Sequence, residues 1–180
     1  SSSQSGVRRR EGVPPFDDAG DDMRGTLDAV RACVKVERAM IPQPLVVGAG
    51  QVIDRPADSL QGQEPLALMA TAAHRAFDDA QAGGLVAAID TVAVVTNVFH
   101  DYGDTAALLA DRLGCAPGRR IVTTWGGNTP QALVNHLCDE IAAGRIDVAL
   151  VAGAEAVGTL RALGKQGVTP EWTSPRDTDV

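Results

Sequence analysis

At 180 residues the chain is long enough for one domain with a hydrophobic core and too short for two of ordinary size. A formal charge of −7 excludes general affinity for nucleic acid or anionic membrane, since like charges repel. No apolar run approaches the roughly 20 residues of a membrane span.

Cys33, Cys115 and Cys138 are odd in number and lack metal-ligand spacing. They fit reduced thiols and a cytoplasmic setting better than a disulfide framework. No metal site is expected.

Basic and acidic side chains balance in residues 1–39, so the rest of the chain holds the net charge. The first twenty residues are Ser, Gly, Pro and charge, a composition that predicts disorder. Over 21–38 a partial helix is expected, with Asp21 and Asp22 at its N-terminus and Leu27, Val30 and Val34 on one face. Residues 1–39 thus read as an extension, upstream or regulatory, of a domain that begins near Met40.

From Met40 onward the pattern alternates. "PLVVGAG" (44–50) is an apolar run closed by glycines and predicts a buried strand. Residues 64–84 predict a helix, with Leu66, Met69, Ala73 and Phe77 on one face and Gly83-Gly84 as its stop. Strands follow at 89–98, 119–125 and 147–156. Helices are expected at 104–114, with Asp104 as N-cap, and at 129–144, with Thr129 as N-cap and Pro130 in the first turn. This rhythm predicts an α/β fold: a mostly parallel sheet with helices on its faces. After Glu155 only a short helix at 157–167 is expected, followed by a turn-rich tail. The domain at 40–180 reads as incomplete.

Gly48 and Gly50 do not open a dinucleotide site, because the third glycine position falls on Ile53 and Pro56 blocks the helix. His74 and His136 lie within predicted helices, and two-residue spacing turns His136 away from Cys138. His100, in "NVFHDYGD", follows a strand's carboxyl end, where open α/β sheets place ligands, and is a candidate contact. The strongest candidate is "WGGNTPQ". Gly126 and Gly127 admit close approach to the backbone, and the following helix start offers unpaired amides with partial positive charge. Gly126, Gly127, Asn128 and Thr129 thus form either a corner for an anion or oxyanion, or a plain helix cap. A phosphate-binding enzyme is one reading of the first case.

Four stretches in order carry a family resemblance: "LVVGAGQVIDRP", "IDTVAVVTNV", "GDTAALLADRLG" and "QALVNHLCDEIAAGRIDVALVAGAEAV". Residues 44–157 resemble much of the N-terminal half of a thiolase, of the acetyl-CoA acetyltransferase or sterol-carrier type. The resemblance implies acyl transfer on CoA thioesters in lipid metabolism, with a CoA thioester as ligand and no covalently bound cofactor. Asn97 takes the family's Asn position at the end of its strand and is a second candidate contact. A homodimer through strand 119–125 is also implied. The family's nucleophilic cysteine position falls on Gly126, which has nothing to acylate, and no catalytic residue is expected in this chain. The implied function is therefore a degenerate acyltransferase that binds acyl-CoA at the Gly126–Thr129 corner. The alternative is a non-catalytic module that docks an assembly partner or an acyl carrier.

Overall fold

The computed structural model describes residues 43–82 and 84–177. The expectations for residues 1–39 lie outside the described residues.

A short 3-10 turn, Ser59–Gln61, precedes helix α1 (Pro65–Ala80) and a four-residue helix α2 (Leu85–Ala88). Strand β1 (Thr91–Val94), helix α3 (Thr105–Leu113), strand β2 (Arg119–Val122), helix α4 (Thr129–Ala142), strand β3 (Ala149–Ala152) and helix α5 (Val157–Lys165) follow. The three strands form one parallel sheet in the order β2-β1-β3. The expected α/β architecture is present, a parallel sheet flanked by helices.

Burial follows the two-residue period of the strands. Val92 and Val94 of β1 and Leu150 of β3 pack with Leu66, Met69 and Ala73 of α1 and Leu109 and Leu113 of α3. Ala93 points the other way, toward Leu133 and Leu137 of α4. Even the charged residues of β2 obey this alternation. Arg119 reaches Glu140 of α4 at 2.5 Å, and Arg120 reaches Asp104 at the head of α3 at 2.9 Å. A central strand covered on both faces explains why β1 reads as an uninterrupted apolar run.

The helix stops carry their expected chemistry, with shifts in detail. Asp104 caps α3, accepting from the Ala107 amide at 2.8 Å, and Gly114 closes the helix in the left-handed region. Helix α1 ends earlier than its glycine pair, because Gln81 takes the left-handed turn itself. The N-cap of α4 is Asn128, one residue before the expected Thr129.

The main correction concerns 44–50, which forms no strand. Leu45, Val46 and Val47 are 77%, 89% and 60% exposed. The segment lies along α1 instead. The Ala49 amide donates to Asp79 Oδ2 at 2.9 Å, and Arg75 Nη1 donates to the Gln51 carbonyl at 2.6 Å. Its glycines permit this course, since a Cβ at Gly50 would overlap the Ala72 carbonyl oxygen. A strand needs a hydrogen-bonded neighbour, and no described strand flanks this segment.

Candidate functional site

The site is built at the carboxyl ends of the three parallel strands. There the chain leaves β2 through Thr123–Gly127 and enters α4. Gly126 and Gly127 are exposed, and nothing in the fold crowds a Cβ at Gly127. The Thr129 amide donates to the Gly126 carbonyl at 3.2 Å, and its hydroxyl donates to the same oxygen at 2.7 Å. These two bonds close the turn, so Thr129 has neither a free amide nor a free hydroxyl proton for a ligand. Pro130 has no amide proton. The amides of Gly127, Asn128 and Gln131 form no hydrogen bond among the described residues. The helix start therefore offers fewer donors than the bare sequence implies, but they face solvent.

Gly126, Gly127, Thr129 and Pro130 border a cleft of about 630 Å³, walled by Val95, Thr96 and Val98 from the end of β1 and by Gly153, Ala154 and Glu155 after β3. Trp125 stands at its mouth, 70% exposed, so it flanks the opening without filling it. Glu155 Oε1 accepts from the Val98 amide at 2.6 Å and ties the β1 and β3 loops together. Exposed Val98 and Phe99 beside Trp125 make this rim apolar.

The two other candidates occupy an adjoining cleft of about 530 Å³, which shares Thr96, Val98, Thr124 and Trp125 with the first. Asn97 is only 5% exposed, and its Nδ2 donates to the Ala154 carbonyl at 2.5 Å. Its Oδ1 is buried without a partner. Asn97 thus braces the β3 loop and leaves one buried acceptor unpaired. His100 is half-buried, edge-on to Tyr102 at 4.3 Å and to Trp172 at 5.2 Å between ring centres. Its Nε2 lies 3.3 Å from the Thr173 carbonyl. A carbonyl only accepts, so Nε2 is the donor in this bond.

What holds His100 was not visible in the sequence. Glu64, just before α1, accepts from the Thr173 amide and hydroxyl, both at 2.8 Å, from Tyr102 at 3.2 Å and from Arg112. Burial alone would raise the pKa of Glu64. The bonds from Thr173 and Arg112 outweigh it and leave the carboxyl below its ordinary range. Burial pushes the Tyr102 phenol well above its ordinary value, so it stays a neutral donor. The tail is pinned again where the Asp104 amide meets the Arg176 carbonyl and the Arg176 amide meets that of Tyr102, at 3.0 and 2.9 Å.

No thiol reaches the corner among the described residues. Cys115 follows α3, where burial raises its pKa, and Cys138 lines a separate groove beside β3. His74 is an exposed helix residue against Phe77, and His136 sits 3.3 Å from Arg119. Among the described residues no cluster of His, Cys, Asp or Glu is arranged to hold a metal ion. No helix there is long and apolar enough to cross a membrane.

No family model and no curated protein matches the chain. Among solved structures, it is similar to a monomeric SCP2-thiolase-like protein type 1 from Mycobacterium smegmatis. Identity is 30% and the TM-score is 0.53, over 62% of this chain and 23% of that one. The chain thus spans less than a quarter of that protein's length. Together with the parallel sheet and its flanking helices, this likeness makes the fold thiolase-like.

Proposed function

We propose that this domain binds acyl-CoA thioesters at the Gly126–Thr129 corner and holds the thioester carbonyl without covalent catalysis. The observation that carries the reading is the corner itself. Gly127, whose amide is free, lines a cleft at the strands' carboxyl ends, and the free amide of Asn128 follows it at the head of a 14-residue helix. Such amides, backed by the helix dipole, stabilise a partial negative charge on a carbonyl oxygen. No side chain of the corner can take an acyl group. Gly126 has none, the Asn128 amide is not nucleophilic, and the Thr129 hydroxyl is committed to the turn. Asn97 and His100, in the neighbouring cleft, would contact the more distal part of the ligand.

Gly126 also supplies the test. A Cβ there would lie 3.1 Å from Asn128 Oδ1 and Thr129 Cγ2, so these side chains must give by a few tenths of an ångström. Gly126→Cys therefore places a thiol on the helix start, where thiolate is favoured. Incubated with acetyl-CoA, Gly126→Cys is expected to gain one acetyl group by mass spectrometry. Its sulfur bonds the acetyl carbon and CoA leaves as the thiol. The unsubstituted chain is expected to gain none. A stable adduct on the unsubstituted chain, or equal inertness of both proteins, contradicts the proposal.

A second reading, a non-catalytic module that docks a protein, is favoured by the exposed Trp125, Val98 and Phe99 at the same rim. It predicts no thermal shift with CoA and co-purification with an acyl carrier or an assembly partner. We likewise propose a homodimer through β2, whose outer edge is bare among the described residues.

A further inference from the structure

His100 borders the cleft of about 530 Å³ together with Asn97 and Asp101, and three groups that do not line that cleft fix its ring. Tyr102 lies edge-on at 4.3 Å and Trp172 at 5.2 Å between ring centres, and the Thr173 carbonyl is 3.3 Å from Nε2. They come from two distant stretches of chain, yet one carboxylate places them all. Glu64 Oε2 accepts from the Tyr102 hydroxyl at 3.2 Å and from the Thr173 amide at 2.8 Å. Glu64 Oε1 accepts from the Thr173 hydroxyl at 2.8 Å. Trp172 precedes Thr173 in the chain and is carried with it.

A neutral side chain cannot do the same. Four donors converge on Glu64, two on each oxygen: the Arg112 guanidinium and the Thr173 hydroxyl on Oε1, the Thr173 amide and the Tyr102 hydroxyl on Oε2. Arg112 also donates to the Thr173 hydroxyl at 2.9 Å, which commits that hydroxyl's own proton to Glu64. An ionised carboxyl accepts at both oxygens and donates at neither. Glutamine in its place turns an N–H toward either the Thr173 amide or the Arg112 guanidinium, and both of those only donate. The Glu64 side chain is 12% exposed, so water relieves little of that conflict.

We propose that Glu64 is a positioning residue of the candidate site: through Thr173 and Tyr102 it sets the orientation in which His100 meets a ligand. Glu64 lines neither cleft and acts only through these neighbours. The path is short. Glu64 grips the tail at Thr173, and the tail presents a carbonyl to Nε2 and the Trp172 ring to the imidazole. Tyr102, on the same carboxylate, closes another side of the ring. The tail is held again at Arg176, whose amide donates to the Tyr102 carbonyl at 2.9 Å. Loss of the Glu64 bonds therefore frees the ring while the tail stays attached further on, which is a local opening and not global unfolding. Contact between His100 and an acyl-CoA rests on the function proposed above, whereas the orientation of His100 by Glu64 does not.

The test reads the His100 ring by NMR in the full 180-residue chain, labelled with 13C and 15N. The unsubstituted chain is expected to show cross-peaks from the His100 ring to Trp172 and Tyr102, and a slowly exchanging Thr173 amide. In Glu64→Gln the Trp172 cross-peaks are expected to vanish and exchange at Thr173 to quicken about tenfold or more. Glu140→Gln breaks a comparable clamp on α4 and is expected to leave both signals unmoved. Should Glu64→Gln fail to fold, Thr173→Val carries the same test. It removes the hydroxyl bonds that Thr173→Ser keeps, and only the valine variant is expected to lose the cross-peaks. A His100 ring unchanged in the folded variants would overturn the proposal, and so would equal loosening in Glu140→Gln. Titration with a thioether analogue of acetyl-CoA separates this claim from the function it serves. Binding to Glu64→Gln is expected to be about tenfold weaker than to the unsubstituted chain. Equal binding with the ring released overturns the positioning role. An analogue that binds neither protein refutes the acyl-CoA reading, and the ring signals then decide the role of Glu64.

Discussion

Residues of the same type carry very different weight in this chain, according to what surrounds them. Leu109 is fully buried between α1 and β1, whereas Leu45 lies in the open on a segment the sequence marks as a strand. Leu109→Ala removes packed methyl groups and leaves a cavity, so it is expected to cost about 2–5 kcal/mol of unfolding free energy. Leu45→Ala is expected to change it by less than about 0.5 kcal/mol. Denaturant titration of both variants measures this contrast. A loss at Leu45 comparable to that at Leu109 would show that 44–50 is buried in solution after all. Glycine identity matters in the same local way. At Gly126 a Cβ would meet only side-chain atoms, at 3.1 Å, while Gly48 and Gly50 are pressed against helix carbonyls that cannot yield.

At the scale of elements, Asp104 joins a helix start to a strand. Its Oδ1 caps α3 and its Oδ2 accepts from Arg120 of β2 at 2.9 Å. Asp104→Ala is expected to cost about 2 kcal/mol, the upper end for an N-cap, because both bonds go together. Asp104→Asn should recover most of that, and thermal melting of the pair tests it. Glu140 of α4 is clamped by Arg145 and Arg119, which pull its pKa down to about 2. Glu64 is lowered by its own clasp. Both groups bind protons less readily when folded than when unfolded. Their stabilisation is therefore complete above the ordinary carboxylate range and drains away as pH falls through it toward about 2. Melting temperature is expected to drop over that window, and less steeply in Glu140→Gln. Parallel pH profiles would contradict the assignment.

The elements were legible where local chemistry decides them. Asp104 and Gly114 announced α3, the apolar face of 64–84 announced α1, and the run at 89–98 announced a strand, which is observed at Thr91–Val94. Legibility failed where the deciding partner is remote. Nothing within "PLVVGAG" tells whether a neighbouring strand will pair with it. The clasp that orders the turn-rich tail joins Glu64 to Thr173 across 109 residues. At the corner, the glycines and the helix start were readable. The engagement of the Thr129 amide by Gly126 was not, because it depends on the turn's exact closure.

In the whole molecule, the proposed site lies where parallel α/β sheets generally place ligands, at the strands' carboxyl ends. Its thiolase-like sheet has bare outer edges on both β2 and β3 among the described residues. The strand that leads into the proposed site, β1, is buried along its whole length. The rim is tied by Asn97, Glu155 and the Glu64 clasp. A preorganised corner of this kind gives up little order on binding, which favours recognition by fixed amides over induced closure. The most direct measurement is a titration of the 15N-labelled chain with a non-hydrolysable thioether analogue of acetyl-CoA, followed amide by amide. Saturable shifts at Gly127, Asn128 and Gln131, with Ala49 and Leu85 unmoved, are the predicted result. Saturation with those three amides unmoved, or no binding at all, would contradict it.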